Sequence, residues 1–228
     1  MQTLATAYDG YEACPRADPT IGPMPTSRVE AFSDGVFAIA ITLLIIDVRP
    51  PHSAPGELGG DLVSIWPSYA AYVVSFAIIG IIWVNHHDIF KQVVAIDRPL
   101  LFLNLFLLLT VAFLPFPTVL LADYLRSGAN SHIAAAVYSV NMTAIGLAFI
   151  AMWTYLARVP ALLDPGVGAG GARLARRSAA IGPMLYAISI PLAFVSALAC
   201  LIVYAALALY FAIVFTISGG DEKVTDTR

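Results

Sequence analysis

Arg28-Val29-Glu30-Ala31-Phe32-Ser33-Asp34-Gly35-Val36-Phe37-Ala38-Ile39-Ala40-Ile41-Thr42-Leu43-Leu44-Ile45-Ile46-Asp47 starts polar and charged and then runs, without a proline, through an apolar stretch. That stretch is about as long as a helix needs to cross the hydrocarbon core of a bilayer. Asp34 lies inside the helix that Ala31 to Ile46 would form. A carboxylate at membrane depth is costly by several kcal/mol unless a partner or water meets it. The stretch therefore predicts both a transmembrane helix and a polar partner for it.

The rest of the chain has the same character. Of 228 residues, 59 % are hydrophobic and 12 % charged, too apolar for a soluble domain of this size, so the expected class is an all-α, polytopic membrane protein embedded in a lipid bilayer. A formal net charge of −3, spread along the chain, gives no reason to expect nucleic acid as a partner. Cys14 lies in a polar leader and Cys200 in an apolar run, which favours neither a disulfide nor a metal cluster. Residues 1–27 lack the basic start and apolar core of a signal peptide and read as a disordered cytoplasmic leader.

Arg49 to Gly56, with Pro50, Pro51 and Pro55, interrupts the helix. A second span is expected from Ile65 to Phe90, closing on Trp83-Val84-Asn85-His86-His87-Asp88. Asp97-Arg98-Pro99 opens a third that reaches Leu121, kinked by Pro115 and Pro117, and a fourth runs from His132 to Leu156. The glycine- and proline-rich connection from Arg158 to Gly171 should be irregular. Arg173 to Ile217 has the length of two spans joined by a turn between Val195 and Ala199. Six spans are thus expected within residues 28–217, followed by a frayed polar tail over 218–228. With both termini cytoplasmic, ten of the twelve basic residues fall inside and only Arg49 and Arg126 outside, as the positive-inside rule favours for a cell-membrane protein.

This orientation brings the start of the first helix and the end of the second to one membrane level. Arg28, Ser33 and Asp34 are then expected to meet Asn85, His86 or His87 in one hydrogen-bonded structural network. Adjacent histidines on a helix point about 100° apart, which does not give the i, i+4 pair of a helical zinc site. No metal or other cofactor is expected. Ile39, Thr42, Leu43 and Ile46 recur at i, i+3, i+4 and i+7. Such a stripe ordinarily faces lipid or another helix, but four copies about an axis would make a narrow apolar constriction with a ring of hydroxyls.

Arg28-x-x-x-Phe32-Ser33-Asp34 followed by Gly-Val-Phe-Ala-Ile-Ala-Ile-Thr-Leu-Leu resembles the motif of the endosomal and lysosomal potassium channel family, the transmembrane protein 175 type, in its bacterial members. Trp83-x-x-His86, with His87 and Phe90 after it, is similar to the end of that family's second helix. The resemblance implies a modestly potassium-selective cation channel, with potassium ions as the permeant species, assembled as a homotetramer with the first helix of each subunit lining the pore. It implies constriction positions at Ile39, Leu43 and Ile46, a pore-facing hydroxyl at Thr42, and an anchoring role for Arg28, Ser33, Asp34 and His86. No Thr-Val-Gly-Tyr-Gly-like run is present, so discrimination would fall to side-chain rings and be weak. The alternative is a proton-coupled secondary transporter using Asp34 and His86, which lacks the expected internal repeat. An enzyme is not expected, since neither Gly-x-Ser-x-Gly nor His-Glu-x-x-His occurs.

Overall fold

A computed structural model describes residues 26–225, and these are helical almost throughout. α1 (Thr26–Ile46) is the opening stretch, and α2 (Leu58–Ser64) is a short helix in the following loop. α3 (Trp66–Phe90) carries Pro67 in its first turn, where a missing N–H does no harm. α4 (Arg98–Phe113) is started by Asp97, whose carboxylate accepts from the Leu100 N–H at 3.0 Å.

Pro115 cannot donate to the Val111 carbonyl, and the chain answers at Leu114 by bonding Val111 O at 3.0 Å in a tightened turn before α5 (Pro115–Tyr124) resumes. The expected kink is therefore a change of helix. After a turn at Gly128, with φ +58, the long α6 (Ala129–Arg158) follows. The connection expected to be irregular holds a 3₁₀ turn at Pro160–Leu162 and pairs back on residues 92–94, with Val94 N–H on Leu162 O and Asp164 N–H on Gln92 O, both at 2.9 Å.

The region after it holds α7 (Gly168–Ala179), α8 (Ile181–Ala193) and α9 (Ala197–Thr225). Pro183 accounts for the α7–α8 break, because its ring collides with the carbonyl four residues back, at Ala179. The turn expected between Val195 and Ala199 spans Phe194 to Ser196. α9 continues through Gly219 and Gly220, past the frayed end expected at residue 217. The disordered leader expected over 1–27 lies, apart from its last two residues, outside the described residues.

Among the described residues, four helical stretches are long and apolar enough to cross a membrane: Thr26–Ile46, Trp66–Phe90, Arg98–Tyr124 and Asn130–Arg158. α6 is the centre, packed against α4, α5, α7, α8 and α9, while α1 lies on the other flank against α3, α4 and α5. Gly146 permits a close approach of α8 to α6. A Cβ there would fall 2.5 Å from Cβ of Pro183, so only glycine lets α8 seat against α6.

Between spans, where lipid supplies no hydrophobic drive, small hydroxyls and tyrosines hold helices together. Thr118 donates to Ser75 at 2.8 Å and Ser75 bonds Tyr138 at 3.0 Å, joining α5, α3 and α6. Ser189 donates to Ser139 at 3.0 Å, and Ser139 bonds the Tyr204 hydroxyl, joining α8, α6 and α9. The Tyr138 and Tyr204 rings stack at 4.8 Å.

Candidate functional site

α1 has two unlike faces. Val29, Ser33, Phe37, Ala40 and Leu44 follow i, i+4, i+8, i+11, i+15 and are buried against α3 and α4, with Ala40 1 % and Leu44 2 % exposed. About half a turn round, Ile39 is 61 % and Ile46 67 % exposed, with Leu43 and Thr42 also open. Phe32 and Arg28 lie on this same open face, since each is a whole number of helical turns from Ile39 to within about 20°. The Thr42 hydroxyl has Ala38 O at 2.8 Å and Ile39 O at 3.0 Å, both on its own helix. Its proton is thus held by backbone, and its oxygen keeps a lone pair for whatever lies outside.

On the buried face, one directed chain of hydrogen bonds crosses three helices. His86 Nε2 lies 2.9 Å from Asn104 Oδ1, Asn104 Nδ2 donates to Ser33 Oγ at 3.0 Å, and Ser33 Oγ donates to Val29 O at 2.8 Å. With the Asn104 amide donating to Ser33, its oxygen must accept, so Nε2 of His86 carries a proton. The imidazole is held in an aromatic slot, stacked on Phe90 at 4.4 Å and edge-on to Phe37 at 5.3 Å. Every polar atom of the chain is deep in the protein, where a satisfied network fixes one helix arrangement.

The single network expected from sequence is divided. Asp34 turns away from Ser33 and accepts from the Trp83 indole N–H at 2.8 Å, at an exposed edge of the α1–α3 contact. His87 stacks on Trp83 at 6.2 Å, and Asn85 donates to Ile81 O of its own helix at 2.9 Å. Arg28 makes no ion pair with Asp34; among the described residues the salt bridge found joins Lys91 to Asp88. The reason is helical geometry: neighbours in sequence point about 100° apart, so Ser33 and Asp34 cannot serve one cluster, nor can Asn85, His86 and His87. Sequence reasoning missed Asn104, which bridges the two helices that were expected to touch directly. Its signal was present, an amide alone in the apolar run Leu100 to Leu109.

Comparison with known proteins gives a relative named as a potassium channel in Streptomyces collinus, 54 % identical over 187 residues, covering 82 % of this chain and 91 % of the relative. A family model described as endosomal/lysosomal potassium channel TMEM175 matches residues 28–115, which hold α1 but for its first two residues, all of α3, and the Ser33–Asn104–His86 chain. The chain belongs to the TMEM175 family. In three dimensions the TMEM175-family chain is similar to the crystal structure of a lysosomal potassium-selective channel TMEM175 homolog from Chamaesiphon minutus, at 40 % identity and TM-score 0.74 over 82 % of this chain and 96 % of that one. A longer relative in Gallus gallus is named an endosomal/lysosomal proton channel; it is 34 % identical over 141 residues, which are 58 % of this chain and 28 % of the relative.

Proposed function

We propose that this chain is the subunit of a cation channel that passes potassium in modest preference to sodium, with four copies placing the open face of α1 around a central pore. In this reading α1, α3, α4 with α5, α6, α7 with α8, and α9 form six spans, with both ends of the chain on the cytoplasmic side of the cell membrane. The observation that carries the reading is the division of α1: its Ser33–Leu44 face is packed within the subunit, and the opposite face offers Ile39, Thr42, Leu43 and Ile46 to a partner. A ring of Ile39 side chains strips no water from an ion and has no oxygen to replace it, so it acts as a dewetting constriction. Thr42, with its proton bonded to backbone, supplies one acceptor oxygen per subunit. One hydroxyl ring is a thin substitute for a hydration shell, and weak discrimination follows.

The test is the reversal potential of purified protein in planar bilayers under bi-ionic potassium and sodium, for the wild type and Ile39→Asn. The wild type is expected to favour potassium, and the variant to gain conductance and lose selectivity. A current indifferent to Ile39→Asn would move the pore away from α1. A pH gradient imposed at symmetric potassium separates the proton-coupled alternative, which would give saturable, gradient-driven flux where the channel gives no net potassium current.

A further inference from the structure

A second feature lies on the flank of α3 remote from Trp83 and His86. A cavity of about 380 Å³ opens between α3, α6, α7, α8 and α9, walled by apolar and aromatic side chains including Ile82, Phe149, Trp153 and Tyr186. At roughly 30 Å³ for each heavy atom, it has room for about a dozen. Its polar lining comes chiefly from Asn85 and Asp88, three residues apart on α3 and so on one face. Both present acceptors. Asn85 spends one amide N–H on Ile81 O at 2.9 Å and keeps its carbonyl oxygen as an acceptor, and Asp88 is a carboxylate whose ion pair with Lys91 is long, at 3.8 Å. No lysine, arginine or histidine is among the described residues that line the cavity.

An apolar chamber with a few convergent polar groups is the usual form of a small-molecule site, and here the charged group among the described lining residues is a carboxylate, Asp88. We propose that this cavity binds an amphiphile with an alkyl chain of about ten carbons and a primary ammonium head, the chain among the Ile82, Phe149 and Trp153 walls and the ammonium on Asp88 and the Asn85 oxygen. The head selects for cations because Asp88 would repel a carboxylate or phosphate, and no lysine, arginine or histidine among the described lining residues offsets it. A free alkylamine and the ethanolamine head of a membrane phospholipid share this chemistry.

Native mass spectrometry of the full-chain protein titrated with decylammonium, decanol and decanoate tests it. Decylammonium is expected to bind saturably, one per chain, about tenfold more tightly than decanol and more tightly still than decanoate, the size of one charge-assisted hydrogen bond. Asp88→Asn should bring decylammonium down to the decanol value while leaving decanol unchanged. Ala208→Leu, or Ala179→Leu should the first not fold, fills the chamber and should weaken both probes. Equal binding of decylammonium and decanol by the wild type, or undiminished binding by a folded cavity-filling variant, overturns the proposal. After reconstitution with phosphatidylethanolamine and phosphatidylglycerol, release of one ethanolamine lipid per chain by decylammonium supports the site with the membrane as its source. Binding that displaces no lipid supports it with a free amine.

Discussion

Replacing Asn104 by leucine removes the bridge between α3 and α1 while keeping nearly the same volume. Two hydrogen bonds go, from His86 to Asn104 and from Asn104 to Ser33. Within a membrane each such bond stabilises by about 0.6 kcal/mol, because the separated helices also find partners. The larger effect is what stays behind: an imidazole N–H, 1 % exposed and stacked between Phe37 and Phe90, with no acceptor, which costs roughly 1 kcal/mol or more. The sum is about 2 kcal/mol, or a fall in Tm of about 4–8 °C for a chain of this size. Cys200 is free and buried, so in a Cys14→Ser background its reaction with a thiol-specific fluorophore reports unfolding directly. The double variant His86→Phe with Asn104→Leu separates hydrogen bonding from packing, since removing donor and acceptor together leaves nothing unsatisfied. It should unfold nearer the wild-type temperature than Asn104→Leu does. A Tm for Asn104→Leu within about 1 °C of wild type, or a double variant no better than the single, would refute the reasoning.

Gly146→Ala should destabilise by about 1–3 kcal/mol in the same thiol assay, because the new methyl meets the rigid ring of Pro183 at 2.5 Å and α8 must move out to relieve it; a neutral result would mean that α6 and α8 do not approach as described. Asp97→Ala removes the cap on Leu100 N–H and the acceptor for the Tyr155 hydroxyl of α6, and should destabilise by about 2 kcal/mol, whereas Asp97→Asn keeps the cap and should lose about half as much.

Of the six spans expected, the four long ones found among the described residues were legible because hydrophobic length and proline placement are local properties. Pro67 and Pro99 sit where helices start, and Pro115 follows the tightened turn that separates α4 from α5. Family membership was legible in the Arg28-to-Asp34 motif, and the Streptomyces relative bears it out. Asn104 was not, because its importance depends on which face of α4 meets α1, and four leucines around it hide any periodicity. Division of the polar cluster followed from helix geometry alone. The 100° between consecutive residues, used to dismiss a metal site at His86 and His87, applies with equal force to Ser33 and Asp34. The α7–α8 break was also readable in principle, since Pro183 disallows a continuous helix at Ala179, yet hydropathy does not register it.

In the proposed channel the two faces of α1 have linked duties. Ser33 lies six residues before Ile39, about 9 Å along the helix axis, and the helix between them contains no proline that could hinge. Whatever holds Ser33 therefore sets where Ile39 stands relative to the pore axis. A constriction that works by excluding water responds steeply to its radius, so a small tilt of α1 changes conduction more than it changes any contact within the subunit. The Ser33–Asn104–His86 chain resists such a tilt with directed bonds, which fail over a few tenths of an ångström, where the Phe37, Ala40 and Leu44 contacts alone would give way gradually. Selectivity in a side-chain pore is on this argument partly a property of a buried amide that no ion touches.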